Sequence, residues 1–451
     1  MKRFFGTDGI RGRANEAPLD PVTLIEIGAV LGRLMRERGG IDGGILIGHD
    51  GRRSAAMIFG ALSAGLCAEG VEVFDGGLLT TPALAHETRL GAYKAGIIIS
   101  ASHNPAHDNG IKIFGENGQK ISDSIEHAIE EQLATAVDAV RGRPGIVHRL
   151  ESGDEATTTE YRRFLRKTFG DLDLAGMRIL VDCAHGAGSK LAPALLRSFG
   201  ATVVARNDAP SGDNINERCG ALHPDLIAAD VVSNDCALGL CLDGDGDRSI
   251  FIDDAGVVVH GDALLTVLAL EMDRVGRLDN RTIAVTVMSN LGLKRALNSR
   301  GIEVRETPVG DRSVSAAMQE HALALGGENS GHIIFGSRHH FTGDGIYTAL
   351  ELLALMQQRG SRLSELAQVF ELCPQKLVNV KVKSKPPLDS IPRIVEAERE
   401  VAALLGDDGR VVLRYSGTEM LCRVMIEAVD QQLVDHCVNT LVNVVKESIG
   451  A

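Results

Sequence analysis

Residues 45–74, ILIGHDGRRSAAMIFGALSAGLCAEGVEVF, read as a strand (Ile45 to Asp50), a helix (Ser54 to Glu69), a break at Gly70 and a second strand (Val71 to Phe74). An apolar run, a Gly-bearing turn, an Ala-rich helix and a second apolar run make a βαβ unit, whose crossover is right-handed. The order returns at Met177 to Asp182, the helix to Phe199 and Ala201 to Val204. It returns again at Thr282 to Val287, the helix to Arg300 and Ile302 to Val304. Copies spaced about a hundred residues apart predict an α/β fold of three related α/β/α domains with mixed sheets.

The chain around these units is consistent with that division. Asp20-Pro21 opens a helix, as cap and first helical residue, with Leu24, Ile27, Leu31 and Leu34 on one face. Arg141 to Thr159 carries Gly, Pro, Ser and charge and reads as a linker, and the Asp253-Asp-Ala-Gly256 turn separates the second unit from the third. Pro374 and Lys385-Pro-Pro387 bracket a strand from Lys376 to Lys383. A helix (Pro392 to Leu405), strands at Arg410 to Tyr415 and Cys422 to Ala428, and a closing amphipathic helix complete a smaller C-terminal α+β domain. The expected domains are therefore 1–150, 155–254, 255–370 and 373–451, arranged around a central cleft.

Composition narrows the function. At 451 residues the chain exceeds one core, and 44% hydrophobic with 24% charged residues is an ordinary globular profile. No apolar run has the length of a membrane span, and the N-terminus lacks the apolar segment of a signal peptide. Eight cysteines without a CxxC pair, several of them (Cys183, Cys241, Cys422) in apolar runs, read as small reduced core residues and suit the cytoplasm. A net charge of −13 argues against a nucleic-acid surface and leaves an anionic small substrate only if the site gathers its own cations.

Four motifs carry chemistry. The strand Ala95 to Ile99 ends in Ser100-Ala-Ser-His-Asn-Pro105, and a second strand, Ile111 to Phe114, carries Lys112. A serine hydroxyl is a poor nucleophile unless a base or cation stands beside it, and this loop offers both. The buried strand Leu238 to Leu242 runs into Asp243-Gly-Asp-Gly-Asp-Arg248, where glycines let Asp243, Asp245 and Asp247 converge on one hard cation. An EF-hand would need glycine where Arg248 stands and glutamate where Asp254 stands, so the loop is a different one and Mg²⁺ is the expected ion. Gly327-Glu-Asn-Ser-Gly-His332 presents Glu328 and Ser330 to sugar hydroxyls and His332 for proton transfer. Arg414-Tyr-Ser-Gly-Thr-Glu419 with Arg423 offers arginines, hydroxyls and backbone N–H groups to a phosphate dianion, and Arg11 is a further candidate anion contact. Two look-alikes fail: His185-Gly-Ala-Gly-Ser-Lys190 lacks the P-loop order, and Arg338-His-His340 reads as a solvated loop.

Together with Phe5-Gly-Thr-Asp-Gly-Ile-Arg-Gly12 and Thr307-Pro-Val-Gly-Asp-Arg312, these motifs make the chain resemble the α-D-phosphohexomutases nearly end to end. The N-terminal motif and Asn329 look most like the branch acting on hexosamine phosphates. The resemblance implies interconversion of glucosamine 6-phosphate and glucosamine 1-phosphate through a phosphoserine and a 1,6-bisphosphate, feeding UDP-N-acetylglucosamine and cell-envelope precursors. A phosphomannomutase/phosphoglucomutase with the same mechanism is the alternative. It implies that Ser102 carries the phosphoryl group and shares one Mg²⁺ with Asp243, Asp245 and Asp247. Lys112, Arg248 and Arg11 would then neutralise the moving charge, and Lys112 or His332 would serve as general base. Glu328, Asn329 and Ser330 would hold the sugar, and Arg414, Ser416, Gly417, Thr418 and Arg423 the distant phosphate. Relatives are often homodimers, and neither nucleic acid nor membrane is implied as a partner. The chain departs from the family at Met420, usually proline, which implies a looser loop there, and at His49 and the Gly51-Arg52-Arg53 run, two changes expected not to touch the chemistry.

Overall fold

The computed structural model describes residues 4–6, 8–133, 142–150, 158–416 and 420–451. Their strands form four sheets, three of which repeat one arrangement. In the first, Ile45–His49 lies parallel between Val73–Leu78 and Ala95–Ile99, and Asp108–Gly115 returns antiparallel along Ala95–Ile99. In the second, Arg178–Asp182 lies between Thr202–Arg206 and Leu238–Leu242, and Ser249–Ile252 returns along Leu238–Leu242. In the third, Thr282–Thr286 lies between Glu303–Thr307 and Leu325–Gly327, with Ile333–Phe335 returning. The expected three mixed-sheet units are thus present, and each ends in a hairpin at the carboxyl end of its third strand. The connections 100–107, 243–248 and 328–332 are these hairpin loops, so the serine, aspartate and Glu-Asn-Ser motifs occupy equivalent places.

The local chemistry explains the elements. Ala95–Ile99 and Leu238–Leu242 are buried throughout, as parallel strands covered on both faces must be. Asp20 caps Pro21–Arg38 by accepting from Val22 N and Thr23 N at 3.1 Å. That helix packs on Ala55–Ala68 so tightly that a Cβ on Gly65 would collide with the Ile25 carbonyl. The fourth sheet is antiparallel, Gln375–Lys381, Leu421–Ala428 and Gly409–Tyr415, covered by Pro392–Leu405 and Gln431–Ile449. The second and third units share a continuous apolar core, while the first and fourth each have their own.

Three readings of the sequence are corrected. Val147–Arg149, inside the expected linker, pairs parallel with Val73–Leu78 as the last strand of the first sheet. Thr159, its other end, begins the helix Thr159–Thr168. The Asp253–Gly256 turn closes a hairpin whose return strand, Val258–Val259, still belongs to the second sheet. The strand expected from Val71 begins at Val73. All eight cysteines are free, and no helix among the described residues is long and apolar enough to cross a membrane.

Arg338-His-His340 is no solvated loop. His339 is fully buried, its Nε2 2.7 Å from Asp344 Oδ2 and its Nδ1 3.0 Å from His86 Nε2. Its ring stacks on Tyr347 at 4.2 Å between centroids. Tyr161 completes the group by donating to Asp344 at 2.8 Å. Side chains from all three α/β units therefore meet in one dry seam. Beside it, Glu87 accepts from Tyr161 N at 2.9 Å, and burial pushes its carboxyl up from 4.5 to about 7.

Because that carboxyl is raised, the folded protein keeps a proton that the unfolded chain releases above about pH 4.5. Stability from this group is whole below that pH and falls as pH rises to about 7. Glu87→Gln, which keeps the acceptor oxygen, is expected to be the more stable protein at pH 8 by about 3 kcal/mol. Denaturant melts at pH 4.5 and pH 8 check it: the difference between variant and parent should appear only at the higher pH.

Candidate active site

The SASHNP loop leaves the buried strand Ala95–Ile99, and the aspartate loop leaves Leu238–Leu242, so both project from rigid bases. They meet directly: Ser102 Oγ donates to Asp243 Oδ2 at 2.7 Å, and both residues are buried. One oxygen from each of Asp243, Asp245 and Asp247 lies within 4.8 Å of the others. The aspartate loop is fixed from three sides. Thr81 N donates to Asp245 O at 2.9 Å, Gly345 N to Gly246 O at 3.0 Å and Ala187 N to Gly244 O at 2.8 Å. A Cβ on Gly186 would collide with the Gly244 carbonyl, so the rejected HGAGSK turn is needed as a close-approach surface for this loop.

Charge is concentrated and only partly balanced. Lys112 Nζ reaches Asp245 at 3.0 Å, Asp8 at 3.3 Å and Asp247 at 3.4 Å. Burial alone would pull this amine down, but those carboxylates outweigh it and hold Lys112 well above the ordinary lysine value. Asp243 is driven well above the carboxylate range by burial and by the charges of Asp247 and Asp245. Asp247 is also buried, yet Lys112 and His332 hold it well below that range. His103, whose Nδ1 is 3.5 Å from Ser102 Oγ, is pushed down to about 4 by burial and then by Arg248.

Two carboxylate oxygens, Asp245 Oδ1 and Asp247 Oδ1, are buried without a hydrogen-bond partner among the described residues. Buried acceptors of full charge are rarely left so, and a hard divalent cation with oxygen preference fits this donor set.

His332 joins the cluster, its Nδ1 3.5 Å from Asp247 Oδ1, and Arg248 Nε stands 4.0 Å from the same atom. Glu328 accepts from Gly310 N at 3.2 Å, Ser330 Oγ is buried without a hydrogen-bond partner among the described residues, and Asn329 is exposed. Ser249 N donates to Gly331 O at 3.0 Å, docking this turn on the strand that follows the aspartates. Arg11 pairs with Asp8 at 2.7 Å. Arg414 and Arg423 stand on a separate sheet, directly opposite each other on neighbouring strands. Burial and then Arg423 lower the pKa of Arg414. Ser416 is buried at the end of the same strand, and Gly417 and Thr418 lie outside the described residues.

Sequence reasoning gave no role to Asp8, Lys120 or Asp311. Lys120 bridges Asp8 and Asp311, 2.5 Å from the latter, and so ties the first unit to the third. A cavity of about 390 Å³ opens between these units, lined by Lys120, Asp247, Asp311, Arg312 and His332 among others. Asp8 and Asp311 sit inside quoted motifs, which was the available signal; Lys120 had none.

Phosphoglucomutase/phosphomannomutase family patterns match in order, as alpha/beta/alpha domain I at residues 2–139, domain II at 160–256, domain III at 260–373 and the C-terminal domain at 377–444. A phosphoglucosamine mutase from Geotalea daltonii is 43% identical over 452 residues, 100% of this chain and 99% of that protein. One from Chlamydia caviae is 42% identical over 100% of this chain and 98% of that protein. Among solved structures, a phosphoglucomutase/phosphomannomutase family protein from Burkholderia thailandensis aligns with a TM-score of 0.81 at 23% identity, over 99% of this chain and 97% of that one.

A cation held by the three aspartates stabilises the folded state by mass action, about 2.7 kcal/mol at a hundred times its dissociation constant. Titrating Mg²⁺ into chelator-treated protein is therefore expected to raise the melting temperature, and Asp243→Asn to remove the rise. A parent protein whose melting does not respond to the ion would contradict the assignment.

Proposed function

The chain belongs to the phosphoglucomutase/phosphomannomutase family, and from that premise we infer that it interconverts glucosamine 6-phosphate and glucosamine 1-phosphate. It is an intramolecular phosphotransferase of the isomerase class. The observation that carries the mechanism is the 2.7 Å contact between Ser102 Oγ and Asp243 at the edge of a buried three-aspartate cluster. Four-unit architecture and full-length similarity to phosphoglucosamine mutases support the substrate.

Phosphoserine 102 donates to the hydroxyl on carbon 1 of glucosamine 6-phosphate. The Oγ–phosphorus bond breaks, a phosphorus–oxygen bond to the sugar forms, and the hydroxyl proton leaves to His332, since Lys112, held well above the ordinary lysine value, is already an ammonium. The bisphosphate turns end for end, its 6-phosphoryl returns to Ser102, and glucosamine 1-phosphate departs. Asp243, Asp245 and Asp247, with a phosphate oxygen on Ser102, would hold Mg²⁺, which supplies charge compensation to the transferring group.

The remaining work belongs to the chain. Lys112 and Arg248 set positive charge against the phosphoryl oxygens, and Arg11 adds to it. Glu328, Asn329 and Ser330 orient the sugar. Arg414, Ser416, Gly417, Thr418 and Arg423 grip whichever phosphate is not reacting. A C-terminal unit with its own core suits a dock that swings to admit substrate and exclude the water that would hydrolyse phosphoserine.

Intact mass of the purified protein is expected to show one phosphate that Ser102→Ala lacks, and that variant to lose at least about a thousandfold in turnover. Labelled phosphate on the protein should pass into hexosamine product. Label released only as inorganic phosphate would mean a phosphatase, and equal rates on glucose or mannose phosphates would favour the broader phosphomannomutase/phosphoglucomutase activity.

A further inference from the structure

Ser102 is held in the left-handed region, φ +53°, a setting rare for a residue with a side chain. Every polar backbone group it has is engaged. Its N–H donates to Ser100 Oγ at 2.8 Å, and Ser100 Oγ donates to Asp50 at 2.6 Å. Its carbonyl accepts twice, from Arg52 Nη2 at 3.1 Å and from Asn216 Nδ2 at 2.8 Å. The same two nitrogens hold the Asn104 carbonyl, at 2.8 Å and 3.0 Å.

Arg52 does more. Its Nη1 donates to the carbonyls of Pro105 and Asp108, and its Nε to Asp50 at 2.8 Å. It is 2% exposed, and both its terminal nitrogens are spent on the segment that carries the serine. Asn216 reaches the same carbonyls from the second unit. The aspartate loop presses on them too: a Cβ on Gly244 would stand 2.6 Å from Ser102 O and 2.8 Å from Asn216 Nδ2. The hold therefore spans the seam between the nucleophile's unit and the metal loop's unit.

We propose that Arg52 and Asn216 are positioning residues for phosphoryl transfer, holding the Ser102 carbonyl so that the left-handed backbone aims Oγ at the aspartate cluster. The proposal rests on Ser102 as phosphoryl carrier. Relaxing φ to the common negative range would turn the Cα–Cβ bond and carry Oγ off Asp243. The serine must return to one place in both half-reactions of each turnover, so looseness is felt twice. Arg52, which the sequence gave no role, is then the counterpart of the charged groups that act on the phosphate itself.

Asn216→Ala and Arg52→Lys, which keeps the charge and loses the fork, separate the possibilities. Expected for both is a fall in kcat of about tenfold to a hundredfold with KM little changed. Single-turnover transfer from labelled Ser102 to sugar phosphate should slow in parallel, while the melting temperature of Asn216→Ala stays near that of the parent. Asp213→Ala, which breaks the exposed Arg53–Asp213 pair on the same loop, should leave kcat as it was. Parent-like kcat in folded Asn216→Ala overturns the proposal, as does an equal loss in Asp213→Ala, which would point to loop docking instead. If Arg52→Lys does not fold, Asn216→Ala decides alone. Phosphopeptide mapping distinguishes the deeper failure: a parent enzyme labelled at a residue other than Ser102 overturns the carrier assignment and this inference with it.

Discussion

Asp243, Asp245 and Asp247 are buried together where the first three units meet, and much of the architecture answers to that fact. Taking a carboxylate out of water costs several kcal/mol, and bringing three together adds their mutual repulsion. The single ammonium of Lys112 offsets part of it, touching Asp245 and Asp247 but also Asp8. Two of their oxygens have no hydrogen-bond donor among the described residues. The loop keeps its shape because its backbone is fastened to Thr81 in the first unit, Ala187 in its own and Gly345 in the third. A cluster that repels itself can be kept ready for a cation only when the surrounding chain does the holding.

The repeated sheet explains how different chemistries come to face one another. Each unit ends its third parallel strand in a hairpin, and the loop of that hairpin bears the serine, the aspartates or the Glu-Asn-Ser turn. Because the loops are equivalent in topology, arranging the units around a shared junction brings them together without any loop having to be long. Part of the docking is made by backbone groups, such as Ser249 N on Gly331 O, that do not depend on side-chain identity. Side chains in the loops are thereby free to differ.

Much of this could be read in advance from particular residues. The unbroken apolar runs at 95–99 and 238–242 specified buried strands to the residue, and Pro392 to Leu405 matched its helix, because caps, prolines and continuous burial leave local signals. The motifs named Ser102 and Asp243, whose side chains lie 2.7 Å apart. What was illegible depends on distant partners. Val147–Arg149 is short and partly exposed, and only Val73–Leu78 beside it makes it a strand. His339 seemed solvated because its burial depends on His86, 253 residues away, as well as on nearby Asp344. Arg52 and Asn216 act on main-chain carbonyls, which carry no sequence signature.

The fourth unit poses the opposite electrostatic problem from the aspartate cluster. Arg414 and Arg423 are cross-strand partners, and like charges directly opposite each other destabilise a sheet pair unless something negative lies between them. The pKa of Arg414 is lowered by burial and then by this neighbour. On the function proposed above, the aspartates would take a cation beside phosphorylated Ser102, and the arginines would take the sugar phosphate. Recognition in that scheme would be of charge and phosphate geometry rather than of one sugar carbon, so a bisphosphate would fit in either orientation. Exchange of its ends would then meet no electrostatic obstacle, and discrimination among sugars would fall to the Glu328 to Ser330 turn.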